Sequence, residues 1–336
     1  MTAGTDHGGS GLNHFEIVAA VEELARVDSS QAATVAAHNS LGLAPICAFG
    51  TVEQKERYLP GLTSGEGLWA LALTEPNFGS DLKNIQMRAG RSGEGWILNG
   101  EKVFITNGAC ELTAGITVFA NTGVGASGRK EQTCFLVPAD ARGLTAEPIR
   151  DKHGWRATST ARFVFDGVYV SKWDALGEVG RGFKTVMEIL NRGRLTIAAI
   201  GLGLSQGAFE MTLEYIQNRR AFGGPLSDLQ DVRKTLSRMA EKIKATRLML
   251  LDACYLCENG EDFKIEAAMA KVTAAETAAY CAIEGMKLHG AYGCTKEFPI
   301  ERFCRDQAIL QVGEGATPVL RELISRSILD QGFYGC

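Results

Sequence analysis

The residues with most chemistry to offer lie on Thr74-Glu-Pro-Asn-Phe-Gly-Ser-Asp81, on Phe104-Ile-Thr-Asn-Gly108, around Arg219, on Lys287–Gly293 and on Gly313-Glu-Gly315. Before the first of these, Leu71 and Leu73 alternate with Ala70 and Ala72, and the alternation stops at Thr74. Pro76 cannot donate to a β-ladder, and Gly79 admits backbone conformations closed to other residues. A buried strand thus opens into a loop rich in hydroxyls and free N–H groups. Such a loop can hydrogen-bond the edge of a planar polar ring or wrap a phosphate; an ordinary Pro/Gly turn is the competing reading. Glu314 sits between two glycines, which let a loop bring its carboxylate close to a bound molecule; a solvated glutamate fits the same residues. Arg219 ends a long helical pattern, where the dipole favours a cation in any case. Two other patterns lose their chemical reading in context. Gly201-Leu-Gly203 with Gly207 invites a dinucleotide loop, but it lies inside a helix with no strand before it. Cys254-Tyr-Leu-Cys257 has the form of a redox or zinc pair, yet it sits mid-helix and no second pair matches its spacing.

The elements that must position these residues follow from period. The chain has 336 residues, 45% hydrophobic and 22% charged, with a formal net charge of -4. That is room for two or three units around a sizeable core. No basic patch or charge run points to a polyanion, and no apolar run is expected to reach membrane-spanning length. The N-terminus shows neither a signal-peptide core nor an Arg-rich leader pattern. Nine cysteines, an odd and scattered set, point to free thiols in a reducing compartment, read as the cytoplasm. Residues 14–27 place Ile17, Val18, Val21, Leu24 and Ala25 on one helical face. A second, mostly buried helix spans 31–48, and the capping box Thr51–Gln54 opens a short helix that stops before Pro60. From Trp69 to about Val170 the period is two, with a hairpin at Ser92–Gly95 and no helices between strands, which predicts a small antiparallel sheet or barrel. Helices return at 183–217, from the capping box Ser227–Gln230 to about Cys257, and at 262–289. The fold class is therefore α+β and multidomain: N-terminal helices over 1–68, a β domain over 69–178, and a C-terminal, four-helix-bundle-like domain over 179–336. A nicotinamide-type dehydrogenase is disfavoured, because no βαβ unit is present.

The wording and order of the motifs resemble the acyl-CoA dehydrogenase family along nearly the whole chain. Thr74–Asp81 is similar to the family's flavin loop, and Phe104-Ile-Thr-Asn-Gly108 to its W/F-I-T-N-G segment. Asn218–Gly223 resembles E/D-R-x-x-F-G, Lys287–Gly293 resembles Q-I-x-G-G-x-G, and Gly313–Thr317 resembles the Y/F-E-G-T loop. Family members usually carry further helices before Gly8-Gly-Ser-Gly-Leu12, which implies a misassigned start, a fragment or a shortened member. The resemblance implies FAD as cofactor, with its ring between the β domain and the C-terminal helices. Leu71, Leu73, Thr74, Gly79, Ser80, Phe104, Ile105 and Thr106 fall at flavin-contact positions. Phe104 would stack near the ring, although a plain core strand residue is its simpler reading. Arg219 would meet the FAD pyrophosphate of a neighbouring subunit, with Phe222 under the adenine and Gln230 nearby. Lys287, Leu288, His289, Gly290 and Ala291 match the segment at the adenylate end, and Ala316 and Thr317 further contact positions. Ala221, Lys287, Ala291 and Ala316 depart from the common residues. Glu301–Asp306 matches E-R-x-x-R-D, read as structural ion pairs, and Arg321 matches a downstream arginine.

By the same resemblance Glu314 is the catalytic base that removes an α-proton from an acyl-CoA thioester, its burial beside an acyl chain raising its pKa. The position that supplies the base in some relatives is Gly193 here, which cannot serve. Ser80, Asn191, Arg194 and Gly315 match substrate positions; Arg194 could equally be a helix-surface charge. The thioester carbonyl would accept hydrogen bonds from the Glu314 N–H and a ribityl hydroxyl, the β-hydride would pass to flavin N5, and the product would be a trans-2-enoyl-CoA. An electron-transfer flavoprotein would take the electrons, and the enzyme would be a homotetramer in fatty or carboxylic acid catabolism. Gly313 in place of the usual aromatic residue, with Gly193, implies room for a bulky, branched or ring-bearing acyl group. Competing readings are an oxidase or desulfinase on the same scaffold, and a non-catalytic flavin- or acyl-CoA-binding homologue.

Overall fold

The computed structural model describes residues 1, 3–125, 128 and 130–332, Gln331 by its backbone alone. Packing groups the chain differently from periodicity, into two units. One comprises Met1–Leu12, Thr34–Lys152 and Thr158–Gly193; the other comprises Asn13–Ala33, His153–Ala157 and Arg194–Cys336. Helix α1 (His14–Val27) belongs with the C-terminal helices. Its Asn13–Glu16 capping box fixes where it starts, and Ile17, Val18, Val21 and Ala25 are buried, whereas Leu24 of the expected apolar face is exposed.

The first unit holds one eight-stranded sheet: β1 (Leu68–Ala72), β2 (Arg88–Ser92), β3 (Gly95–Thr106), β4 (Thr113–Val124), β5 (Lys130–Pro138), β6 (Leu144–Pro148), β7 (Thr160–Val170) and β8 (Ala175–Leu176). The order is β6-β7-β3-β2-β4-β5-β8, with β1 beside β4. Most pairs are antiparallel, and the hairpin at 92–95 sets Ala89 opposite Leu98. The expected antiparallel sheet has two parallel contacts, both on β4: β1 pairs with it with Ala70 opposite Ile116, and β2 with Arg88 opposite Asn121. No crossover helix is needed, because the β2–β3 hairpin supplies the connection. Both faces of the sheet are covered. Along β5, Phe135 and Val137 enter one core with Trp96, Leu98 and Phe163, while Cys134 and Leu136 enter another with Leu43, Ile46, Leu59 and Trp69. That is the strand period of two expressed as two cores.

Three helical expectations are corrected. The helix over 31–48 consists of α2 (Ser29–Ala36), a π-helical stretch at Ala37–Leu43 and α3 (Ala44–Phe49). At Gly42 an added Cβ would lie 2.3 Å from the Trp69 carbonyl oxygen, so close backbone approach to β1 demands glycine within the widened turn. The same stretch, Ser29–Phe49, is long and apolar enough to cross a membrane by length and composition, contrary to expectation; 56% of its apolar window is buried, as in a core helix. Helix α4 (Val52–Thr63) keeps its Thr51–Gln54 capping box but runs through Pro60 rather than stopping before it. The ring removes a single ladder donor, and Thr63 Oγ1 lies where its one proton can go to Leu59 O or His7 O, at 2.9 and 2.7 Å.

The second unit is helical: α5 (Gly182–Asn218) from Arg194 onward, α6 (Gln230–Glu258), α7 (Lys264–His289), α8 (Ile300–Leu310) and α9 (Thr317–Gln331), with α1. The glycines inside α5 are packing residues. A Cβ on Gly201 would come 3.0 Å from Ala274 of α7, and one on Gly203 2.2 Å from the Glu22 carbonyl oxygen of α1. The Ser227–Gln230 capping box does not form: Leu226–Asp228 is a 3₁₀ turn, and α6 begins at Gln230 with no side-chain cap.

Candidate active site

In the first unit the loop after β1 is fastened from inside. Glu75 is buried and accepts hydrogen bonds from Gln86 N (2.6 Å), Met87 N (2.9 Å) and Lys102 Nζ (3.0 Å). Lys102, fully buried on β3, also donates to Leu73 O at 2.8 Å. Burial pulls its pKa down to about 8 against the pull of Glu75. Val103 N donates to Thr74 O at 2.9 Å, so the end of β1 and the middle of β3 run side by side. With Glu75 and Lys102 facing inward, Gly79 and Ser80 are left exposed and Thr74 half-buried.

Across that contact β3 breaks register with β7 between Lys102 and Ile105. Phe104 sits at the break with φ 61° and is 67% exposed, and Asn107 follows at φ 63°. Positive φ on a bulky residue costs roughly 1–3 kcal/mol and persists only where its surroundings impose it. Asn107 is one such support, donating from Nδ2 to Thr34 O at 3.0 Å. Phe104 is therefore not a core strand residue. Ile105 points into the β core, Thr106 is half-buried, and the side chains of Leu71 and Leu73 are core.

In the second unit α8 ends at Leu310 and α9 begins at Thr317, and the loop between them carries Glu314. Thr317 N donates to Gln311 O (2.9 Å) and Thr317 Oγ1 to Gln311 Oε1 (3.0 Å), pinching the loop at its neck. Glu314 takes φ 50° and Gly315 φ 107°. The Glu314 Oε2 atom is sealed from solvent without a hydrogen-bond partner among the described residues, and the Glu314 N–H has no acceptor there either. Two cations lie near this carboxylate. Arg194 of α5 is buried, which overturns the helix-surface reading; Lys271 of α7, with no exposed surface, donates to Gly315 O at 2.6 Å. Burial pushes Glu314 up to about 7, against the lowering pull of Lys271 and Arg194, and pulls Lys271 down to about 8. Lys271 and Lys102 lie outside every motif of the sequence, and Glu75 lies within the Thr74–Asp81 loop with no role assigned to it there.

The other expected residues fall around the ends of α5 and α7. Arg219 follows α5 and leads into a two-residue hairpin, β9 (Arg220–Ala221) to β10 (Gly224–Pro225). Its turn residues Phe222 and Gly223 both have positive φ, at 52° and 87°, the geometry of a type I′ turn, and Phe222 is 92% exposed. Arg219 and His289 line one hollow of about 580 Å³ with Tyr215, Tyr292 and Phe298. His289 stacks on Tyr215 at 4.1 Å and its Nδ1 faces Gly285 O at 2.7 Å, a packed histidine. Lys287 turns away and pairs with Glu284 at 2.7 Å. Leu288 is half-buried, Gly290 (φ 61°) and Ala291 are exposed, and Gln230 is exposed at the start of α6. Ala316 precedes α9, and Asn191 is half-buried on α5, one turn before Arg194. The Glu301–Asp306 charges are structural: Arg305 holds Glu301 at 2.8 Å, and Asp306 accepts from Ser29 Oγ at 2.9 Å and Trp155 N at 2.7 Å. Arg321 pairs with Glu276.

Three family profiles match the chain in order: "Acyl-CoA dehydrogenase, N-terminal domain" over residues 1–66, "middle domain" over 70–168 and "C-terminal domain" over 180–329. The mitochondrial short-chain specific acyl-CoA dehydrogenase of Bos taurus is 39% identical over 321 residues, 96% of this chain and 77% of that protein. Butyryl-CoA dehydrogenase of Megasphaera elsdenii superposes with a TM-score of 0.93 at 35% identity, covering 98% of this chain and 86% of its own. A glutaryl-CoA dehydrogenase of Mycobacterium smegmatis, solved in complex with FADH2, does so with 0.91 at 30% identity, covering 98% and 83%.

Proposed function

The chain belongs to the acyl-CoA dehydrogenase family and is an oxidoreductase of acyl-CoA thioesters; we propose that Glu314 is its α-proton base and FAD its cofactor. The observation that carries the base is the state of the Glu314 carboxylate. It is desolvated, short of hydrogen-bond partners, and poised at about 7 between two buried cations. A general base works best with a pKa near the operating pH, and a free glutamate lies too low.

The residues present fit FAD on observations in each unit. The bulge at Phe104 holds a large ring out of the β core on strained backbone, beside the half-buried Thr74 and Thr106 and the exposed Gly79 and Ser80. Those hydroxyls and backbone groups would hold the flavin, and Arg219 and His289 border a hollow wide enough for a nucleotide end. The chemistry that bound FAD supplies is acceptance of a β-hydride. This chain's own part is proton and charge handling. The unpartnered Glu314 N–H donates to the thioester carbonyl oxygen, stabilising the charge that develops there as the α-proton leaves. The Glu314 carboxylate receives that proton, Asn191 and Arg194 border the path of the substrate, and the product is a trans-2-enoyl-CoA. The oxidant that completes the cycle is an electron-transfer flavoprotein. A homotetramer suits Phe222 and Arg219, which stand at an exposed turn where a second copy can cover them. We place the enzyme in a reducing, cytoplasmic setting and in carboxylic acid catabolism.

The test is product analysis. Purified protein with a chemical electron acceptor is offered straight short-chain, branched and ring-bearing acyl-CoA thioesters, and products are read by mass. Loss of two hydrogens from at least one thioester is expected. No such loss across the panel, from protein that carries FAD, would overturn the proposed reaction.

A further inference from the structure

Three charged side chains meet inside the helical unit, and Lys271 is the one to which the proposed chemistry gives no part. Glu314 comes from the loop before α9, Arg194 from α5 and Lys271 from α7. Lys271 is fully buried in a helix whose other buried positions are mostly alanine, an environment that disfavours an ammonium unless it is used. Its Nζ donates to the carbonyl of Gly315, the peptide that follows the positive-φ Glu314. That bond crosses from α7 to the far side of a loop whose neck is pinched by Thr317 and Gln311 and whose first half is held by Gly313 N donating to Ile309 O at 2.9 Å.

We propose that Lys271 is the positioning residue of this site: its ammonium tethers the strained Glu314 loop through the Gly315 carbonyl and faces the Glu314 carboxylate with a positive charge. The proposal rests on the reading of Glu314 as the base. Two devices are combined in one side chain. The tether opposes relaxation of Glu314 out of the left-handed region, which would swing the carboxylate away. The charge offsets the burial that would otherwise keep the carboxyl protonated; Lys271 and Arg194 both lower the Glu314 pKa, and Lys271 is still mostly charged at pH 7. Arg194 supplies the second charge.

The experiment titrates Glu314 in the purified holoprotein without substrate. Infrared difference spectra follow the protonated carboxyl band, assigned by its disappearance in Glu314→Gln. In Lys271→Met the midpoint should rise by about one pH unit or more, the usual effect of removing a near opposite charge. Lys271→Arg should restore it, since charge and donor both return. Lys271→Gln is a second neutral variant should Lys271→Met fail to fold. Amide hydrogen exchange at residues 314–317 should quicken in the neutral variants, and kcat at pH 7 should fall about fivefold with little change in KM, as the ionised fraction drops from about a half to about a tenth. A midpoint and exchange rate unchanged in both neutral variants would overturn the proposal. Failure of the base reading would look different: Glu314→Gln would keep its turnover whatever Lys271 does.

Discussion

Two buried lysines, Lys102 in the sheet unit and Lys271 in the helical unit, sit near carboxylates and are both pulled down to about 8 by burial. Their carboxylates are treated in opposite ways. Glu75 is saturated: two backbone N–H groups and the Lys102 ammonium occupy its oxygens. Glu314 keeps a sealed oxygen with no partner among the described residues, and Lys271 spends its hydrogen bond on a backbone carbonyl instead. A satisfied buried pair fixes backbone, here the loop from Thr74 to Ser80. An under-satisfied one keeps a carboxyl near its titration point and therefore able to move a proton.

The contrast can be broken by making the same change at both sites. The largest effect is expected from Glu314→Gln, which should lower the rate of α-proton removal at least 10³-fold, within the range for loss of a general base, with little change in thermal stability. Lys102→Met should do the reverse. It strands a buried carboxylate, so about 3–5 kcal/mol of stability should be lost in denaturant melts, while the folded fraction keeps its base. A pH profile sharpens the comparison. Glu314 is held above its ordinary range, at about 7, so the base form grows as pH rises through 7 and kcat should rise about tenfold from pH 6 to pH 8. A flat profile would mean that this carboxyl does not titrate in the rate-limiting step. The smallest change expected is at Gly313, where an added Cβ would approach Ile309 O at 3.3 Å and φ is not positive. Gly313→Tyr should fold, and should cost branched or cyclic thioesters more kcat/KM than straight short ones; equal loss for all would remove Gly313 as a source of acyl selectivity.

Much of this was legible from residue patterns. Apolar period placed α1, α5 and α7 within two residues, and the 92–95 turn placed the β2–β3 hairpin. Motif wording brought out Thr74–Asp81, Phe104–Thr106 and Glu314. The π-helical stretch was not legible, because Ala37–Leu43 reads as ordinary apolar helix and only the approach of Gly42 to Trp69 explains its widening. Parallel pairing of β1 was also hidden, since a hairpin can carry a chain between parallel strands and leaves no helical signature. The buried charged residues gave no sign of their burial in the sequence, for a common reason. Arg192 and Arg194 look alike in Asn191-Arg-Gly-Arg194, yet the first is exposed and the second buried. Lys271 lies in an alanine-rich helix that presents small apolar residues on almost every side, so no face declares itself inward. Lys102 follows Glu101 and passes for one of a surface pair, while Glu101 in fact bonds Arg162 at 2.8 Å and Lys102 turns into the core.

The central claim, that Glu314 is the base of an acyl-CoA dehydrogenase, is tested most directly by anaerobic titration of the purified holoprotein with acyl-CoA thioesters while following visible flavin absorption. Bleaching of the wild type by at least one thioester, with none for Glu314→Gln under the same conditions, is the predicted result. Equal bleaching of both proteins would contradict it, and the α-proton would have to leave by another group.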